Sequence, residues 1–568
     1  LTSALSSAGE SLTSKVPPGA IATAELTAAA NVISHTKSSD ALRTITESEA
    51  YKTWANSKDG RKFRGGRAVL EGQLGLNLWD AAEKVVGRQV LLALYPPSEG
   101  DQPDSILVIR LADLETATLI REKLSPWIEI ADGAIIAEER DDNWFVESAD
   151  GKVFGLLRQD WLVIANRKSL REAVLGRLTG TATEALALSP AWKDQNAQEV
   201  ADGSARLSIV WDSTPVRALL GPERGQQLLP AKLDNPLGSL LLGGLLEVIS
   251  QAPDLKGAIV VDGSGLSATV RAPVGRVQMD AAHQTLLATT QTAADFVPAV
   301  PRQLGTLSLC RDWSNWYRQR EALIEAHVLP EFDKFETGLS NLLPGKDFCE
   351  DVLTLLKSPM TFVAAEQTYP HLDGRPGMQL PAFAVVLDLT NADRGADIFQ
   401  LFFQTLGTIV NIEAGKSGRQ PWVMHSQAHQ NVQITYAKYL DRPQGEDLPV
   451  VFNFQPAAAL VGQKYVAATS LELCHDLIEG LQQPPQQTGP NVTTQNFLFS
   501  IDPAIAMHLL ESNRPVITAR RIQEGKSSEQ ANSELDTVLQ WLDRLTPLSL
   551  STDVTDNTVE LRLQGGWK

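Results

Sequence analysis

An apolar run, a polar turn and then apolar positions three and four apart mark residues 161–178, WLVIANRKSLREAVLGRL, as a strand followed by a helix. The same pattern returns at 464–481, KYVAATSLELCHDLIEGL. Ser169 with Glu172, and Thr469 with Glu472, have the spacing of a capping box, in which a hydroxyl and a carboxylate satisfy N–H groups where a helix begins. On either side of these stretches the alternation of apolar and polar positions predicts further strands: 17–26, 89–96, 104–111, the short meander 133–137, 143–147 and 152–157, and 205–212. Asp113 is placed to cap a helix whose apolar positions are Leu114, Ala117, Ile120 and Leu124. Helical patterns also cover 38–56, about 77–86 and a mostly apolar region from 214 to 250. The glycines of KDGRKFRGGR, 58–67, predict a loop or hairpin. GAIVVDGSGLSATVRA reads as two strands joined by a turn at Asp262–Gly265.

The second half runs through the same succession. PRQLGTLSLCRDW (301–313) stands where the first strand stood, and PMTFVAAEQ (359–367) where QVLLALYP stood. FAVVLDLTNADRGADIFQLFFQTL (383–406) parallels SILVIRLADLETATLIREKL in order and type. NFLFSIDPAIAMHLL (496–510) places Asp502 where Asp212 was, and STDVTDNTVELRLQ (551–564) places Arg562 where Arg271 was. The order never changes, so the chain is read as a domain duplication, a period too long for a solenoid. The expected organisation is a polar N-terminal segment 1–15, a first repeat 16–275, a connector 276–298 and a second repeat 299–568. The expected fold class is α+β: two tandem copies of a mainly antiparallel sheet covered by helices.

The strand-then-helix signature at 106–124 and 384–406, followed by the strand, polar turn and helix at 161–174 and 465–478, resembles an uncharacterised family of exported bacterial proteins, a domain of unknown function. The resemblance spans most of the chain and carries no catalytic residues. It implies export, to the periplasm or cell surface, and a non-enzymatic role.

Composition narrows this further. The 568 residues carry a formal net charge of −18, which argues against a general nucleic-acid binder. The longest apolar run, LGSLLLGGLLEVI at 237–249, is too short and glycine-broken to span a bilayer. The opening LTSALSSAGESLTSK reads as a polar stalk or the start of a mature exported chain, with any signal or anchor upstream. Three cysteines rule out a disulfide scaffold. Cys474 falls on the apolar face of its helix, as a buried thiol. Cys310 and Cys349 are the pair available for one disulfide if the chain is exported, with two free thiols as the alternative.

Motifs for chemistry are absent or broken. Gly415-Lys416-Ser417 ends like a P-loop, but Val410 stands where its first glycine is required. His425 and His429 are spaced as in H-E-x-x-H, yet the local pattern is extended, which sets them about 13 Å apart and unable to share a zinc ion. Ser264 lies between glycines in a hairpin turn, not a nucleophile elbow. Glu138-Glu139 and Asp141-Asp142 are loop acids. Trp313 and Trp316 have the spacing to stack on a sugar or to pack a core, and core packing is expected. No catalytic residue, metal ligand or cofactor is therefore assigned. The most basic run, Arg61, Lys62, Arg64 and Arg67, is the candidate for binding an anion or partner. The expected partner is another protein or a cell-envelope component. The leading expectation is an exported, non-enzymatic scaffold or binding protein. A hydrolase with a dispersed site between the repeats, and a carrier of an apolar ligand seated by the Leu-rich segment, are the alternatives.

Overall fold

The alternating strands pair antiparallel throughout. The computed structural model describes residues 10–38, 40–47, 49–131, 133–193, 203–225, 227–230, 232–290, 299–440, 445, 447–483 and 494–568. Residues 1–9 of the expected N-terminal segment and 291–298 of the expected connector lie outside the described residues. The chain forms two compact units, Leu1–Leu228 with Ala252–Pro273, and Leu229–Gln251 with Val274–Lys568.

The strands of the first unit are β1 (Ala22–Thr27), β2 (Gln89–Tyr95), β3 (Asp104–Arg110), β4 (Ile135–Arg140), β5 (Asn143–Ser148), β6 (Phe154–Arg158), β7 (Trp161–Ala165), β8 (Ala205–Asp212), β9 (Asp254–Val261) and β10 (Gly265–Ala272). Their pairings give one antiparallel sheet in the order β4-β5-β6-β7-β3-β2-β1-β8-β9-β10. Four helices matter here: α1 (Glu49–Asn56), α2 (Lys58–Leu74), α3 (Leu114–Ile130) and α4 (Lys168–Leu178).

One face of this sheet is dry. Leu91, Ala93, Ile106, Val108, Leu156, Val163 and Val210 pack there against Val174 of α4, Leu186 and Trp192. The Trp192 indole N–H donates to Thr23 Oγ1 at 2.8 Å, which satisfies the ring in the core. Leu12 and Val16 join the same core. The buried Glu25 carboxylate accepts from Leu12 N at 2.7 Å and Gln89 Nε2 at 2.7 Å. The described part of the N-terminal segment is therefore built into the unit and is not a polar stalk. On the opposite face α3 covers Ile109, Leu157 and Trp144 through Ala117, Ile120 and Ile128. Asp113 caps α3 as expected, accepting from Thr116 N at 2.7 Å.

The second unit contains β11 (Gln303–Leu309), β12 (Leu356–Ala365), β13 (Ala382–Leu389), β14 (Trp422–His429), β15 (Val432–Tyr439), β16 (Ala457–Val461), β17 (Lys464–Ala468), β18 (Gln495–Ile501), β19 (Leu548–Val554) and β20 (Val559–Gly566). Their order is β14-β15-β16-β17-β13-β12-β11-β18-β19-β20, all antiparallel. This is the succession of the first unit, strand for strand. The helices used below are α5 (Gly244–Gln251), α6 (Trp313–Arg318), α7 (Ala392–Lys416), α8 (Leu471–Gln482) and α9 (Pro503–Ser512). α8 seals one face through Leu473, Cys474, Leu477 and Ile478, and Phe399 and Phe403 of α7 pack on the other. Asp502 caps α9 through Ala504 N, as Asp212 caps the helix that follows β8 through Thr214 N.

Three expectations are corrected. Neither Ser169 nor Thr469 caps a helix. Arg167 is the N-cap of α4 with no side-chain bond, and Ser470 caps α8 through Leu473 N. The glutamates are drawn elsewhere: Glu172 to the buried Arg171 at 2.5 Å, and Glu472 to Arg302 at 2.8 Å. Second, residues 229–251 belong to the second unit, not to the first repeat. Leu240 and Leu241 pack with Leu286, Trp313 and Trp316, and Arg311 donates to the carbonyls of Leu240 and Leu241. Residues 276–290 fold into that unit too, with Ala282 and Leu286 in its core, so they are no free connector. Third, 58–67 is neither loop nor hairpin but the start of α2.

Candidate binding surface

Strands with apolar residues at every position need both faces covered. Here one face is only partly covered. On the α3 face of the first unit, Ile164, Leu107, Leu92, Ala24, Ile209, Gly257 and Val270 are successive cross-strand partners from β7 to β10. On the α7 face of the second unit, Ala467, Val385, Phe362, Leu307, Phe499, Leu550 and Leu563 form the corresponding row from β17 to β20. The large side chains Ile164, Leu92, Ile209, Val270, Phe362, Phe499 and Leu563 are each between 38% and 42% exposed. Phe383, on the neighbouring row, is more exposed still.

Each row crosses seven strands, about 29 Å at the usual strand spacing. Side chains one row away, such as Leu94, Trp211 and Leu255, extend the first band along the strands. Contiguous apolar surface beyond a few hundred Å² is uncommon on a protein with nothing to bind. Neither row contains a donor, acceptor or charge in its side chains, and the backbone groups of the inner strands are spent on the sheet. The bands can exclude water from an apolar surface. They cannot orient a polar one.

The basic run lies elsewhere. Ser57 accepts from Gly60 N and caps α2, which ends at Gly75 in the left-handed region (φ 66°). Gly60 is buried where the helix leaves α1, and a side chain there would run into the Trp54 carbonyl and the Ala55 backbone. Arg61, Lys62 and Arg64 are exposed, and Arg67 pairs with Glu71 at 2.8 Å. The Glu71 carboxyl is held below its usual range, first by the Leu78 N–H and then by Arg67.

Cys310 and Cys349 are not joined in a disulfide, so the candidate bridge is not formed. Cys310 is buried, and Cys349 Sγ lies 3.7 Å from the Ser314 carbonyl. Cys474 is buried, and burial pushes its thiol up to about 12. Trp313 and Trp316 are in the core and offer no stacking platform. Gly415-Lys416-Ser417 closes the end of α7. Asp262 accepts from the N–H groups of Ser264 and Gly265, which makes its segment a simple hairpin turn. Asp141 and Asp142 form the β4–β5 turn at positive φ, and Glu139 pairs with Arg121. The Leu-rich segment is packed tightly: Cβ atoms at Gly243 and Gly244 would sit 3.0 Å from Leu286 and Leu287.

Sequence reasoning missed a histidine pair. His429 is four residues from His425 on β14, but its neighbour is His475 of α8, with ring centroids 4.2 Å apart. His429 Nε2 lies 2.9 Å from Glu479 and Gln427 Nε2 lies 2.8 Å from His475 Nε2. Burial first, and then the neighbouring His429, push the His475 imidazole below its ordinary value. Among the described residues no group of three or more His, Cys, Asp and Glu is arranged to hold a metal, and no helix is long and apolar enough to cross a membrane. An open cleft of about 920 Å³ in the second unit is lined by Asp373, Arg375, Asp447 and Arg520 among others. Its charges are of both signs.

No protein-family model matches the sequence, and no curated protein matches it. Among solved structures the chain is similar to TP0453 in crystal forms IV, III and I, with TM-scores of 0.25, 0.27 and 0.25. The identities are 11%, 11% and 10%, over 47%, 49% and 48% of this chain and 82%, 85% and 83% of the others. Nothing further follows from likeness of that degree.

Proposed function

We propose that the chain is a non-enzymatic binding protein, built from two copies of one α+β domain, and that each copy takes an elongated apolar ligand along its open sheet face. The duplication is supported by the shared strand order and by the collinear sequence signatures. The observation that carries the binding reading is the pair of in-register apolar rows, from Ile164 to Val270 and from Ala467 to Leu563. We place the protein in the periplasm or at the cell surface on the family resemblance alone.

The class of ligand follows from what the rows lack. A protein segment laid on them would bring backbone N–H and C=O groups that need partners, and the rows supply none. An acyl chain carries no such groups, so its transfer out of water costs no lost hydrogen bond. Its length also fits. One leaflet of a bilayer's hydrocarbon core is about 15 Å deep, and each row is about twice that. The ligand surface of this carrier is the sheet, not the Leu-rich segment that first suggested one.

The test is titration of the delipidated protein with cis-parinaric acid, followed by displacement with palmitate. Saturable fluorescence that Ile209→Glu and Phe499→Glu together abolish is expected. No saturable signal, or one unchanged in that double variant, overturns the reading.

A further inference from the structure

The helix α2 carries charge of the opposite sign to the protein. Residues 49–74 hold six Lys and Arg against three Asp and Glu, in a chain of net charge −18. Of those acids, Glu71 is paired with Arg67, and Asp59 sits in the first turn of α2, where a carboxylate suits the helix dipole. Arg61 and Lys62 form no ion pair with any described residue.

The same segment exposes its large apolar side chains. Trp54, Phe63 and Val69 are between 43% and 57% exposed. The Tyr51, Trp54 and Phe63 rings form a chain, with centroids 5.6 and 5.8 Å apart. Gly60 is what allows the contact, because it lets α2 start against the backbone at Trp54 and Ala55. At about 100° per residue, Phe63 points out between Lys62 on one flank and Arg64 and Arg67 on the other, with Asp59 and the Arg67-paired Glu71 on the same side, while Arg61 falls on the far side of the helix. An aromatic knob with cations on both flanks is the arrangement that seats a helix in the headgroup layer: the ring enters the acyl boundary and the cations stay with the phosphates.

We propose that α2, with the Tyr51–Trp54–Phe63 cluster, docks the protein on an anionic lipid surface. The dock is peripheral. It gives an acidic protein one face that an anionic bilayer attracts, and the attraction weakens with salt because it is electrostatic. This stands apart from the acyl-chain reading, since none of these residues lies on a sheet.

The experiment is co-sedimentation of the full chain with vesicles containing phosphatidylglycerol, and with pure phosphatidylcholine vesicles. Binding to the first and not the second is expected, falling as salt is raised. Lys62→Glu with Arg64→Glu should lower the partition coefficient by at least about tenfold. Phe63→Ser should lower it at unchanged charge. Arg61→Glu, on the far side, should weaken it less than Lys62→Glu does. Each variant should keep the wild-type circular dichroism spectrum and parinaric acid binding, which separates failure of the dock from failure of the ligand face. Equal binding to both vesicle types, or wild-type partition by the Lys62/Arg64 variant, overturns the proposal. So does tight binding to soluble polyglutamate that Phe63→Ser leaves unchanged, since it would mean an acidic protein partner.

Discussion

His429 and His475 stack with their ring centroids 4.2 Å apart and their planes within 23° of parallel. One ring comes from β14 and the other from α8, so the stack clasps a helix to its sheet. The amide nitrogen of Gln427 donates to His475 Nε2, which must then be unprotonated. Protonating His475 breaks that bond and sets a charge in a half-buried site beside a second imidazole. Glu479 and Glu472 act the other way, but burial outweighs them.

A pH dependence follows. The folded value of His475 lies below the ordinary 6.5, so the unfolded chain takes up its proton first as pH falls. Stability is then lost on going down from about pH 6.5 through the folded value, and is level above that window. Urea midpoints measured from about pH 7.5 to 5 should show this loss, and His475→Gln should flatten it. The adjacent Asp476, raised chiefly by burial, works in the opposite sense, in a window that opens upward from its ordinary 3.8. An unchanged slope in His475→Gln would exclude the histidine as the cause.

Arg311 is buried, and among the described residues it pairs with no carboxylate. Its guanidinium donates to the carbonyls of Leu240, Leu241 and Cys310 and to Asn496 Oδ1. Burial pulls its ordinary value down to about 10, so it remains a cation at neutral pH. Arg311→Met leaves those acceptors short of donors and is expected to cost about 3 kcal/mol. The loss should appear as a lower denaturation midpoint, with faster proteolysis within 236–251. Lys keeps the charge but not the fork, and should rescue little.

Leu91 and Leu92 are neighbours on β2 with opposite fates. Leu91 is in the core and Leu92 is on the open row. Leu91→Ala should cost about 2–5 kcal/mol. Leu92→Glu should cost less than about 1 kcal/mol and still weaken acyl-chain binding to the first unit. Comparing urea midpoints with parinaric acid titrations of the two variants checks both halves.

The cysteines give a chemical readout. Iodoacetamide at about pH 8 should alkylate Cys349 alone in the native protein, and slowly, because burial raises its thiol. Cys310 and Cys474 should react only after unfolding. Unfolding without reductant should then expose three thiols; one would mean that Cys310 and Cys349 had paired.

The strands were legible because alternation and caps are local. ARLSIVWD ends as a strand at Asp212, and Asp113, Asp212 and Asp502 all begin helices. The α2 helix was hidden by Gly60, Gly65 and Gly66, each of which costs about 1 kcal/mol of helix propensity. What outweighs them is local capping together with the contact at Gly60 that tolerates no side chain. The placement of 229–251 was not legible, since it depends on Arg311, distant in sequence. Nor were the open apolar rows: alternation marks FAVVLDL as a strand, and only the extent of helix cover reveals that Phe383 is exposed.

The first strand of each unit sits in the middle of its sheet. β1 pairs with β2 on one side and with β8 on the other, and β11 is placed likewise between β12 and β18. During synthesis the inner partner is made early and the outer one only after most of the unit has emerged. At typical rates of translation, β1 waits on the order of ten seconds with a row of unpaired N–H and C=O groups along one side. The nascent chain passes through that interval twice. Its yield in a cell is therefore governed by what shields two half-built sheets, before the finished sheets exist to bind anything.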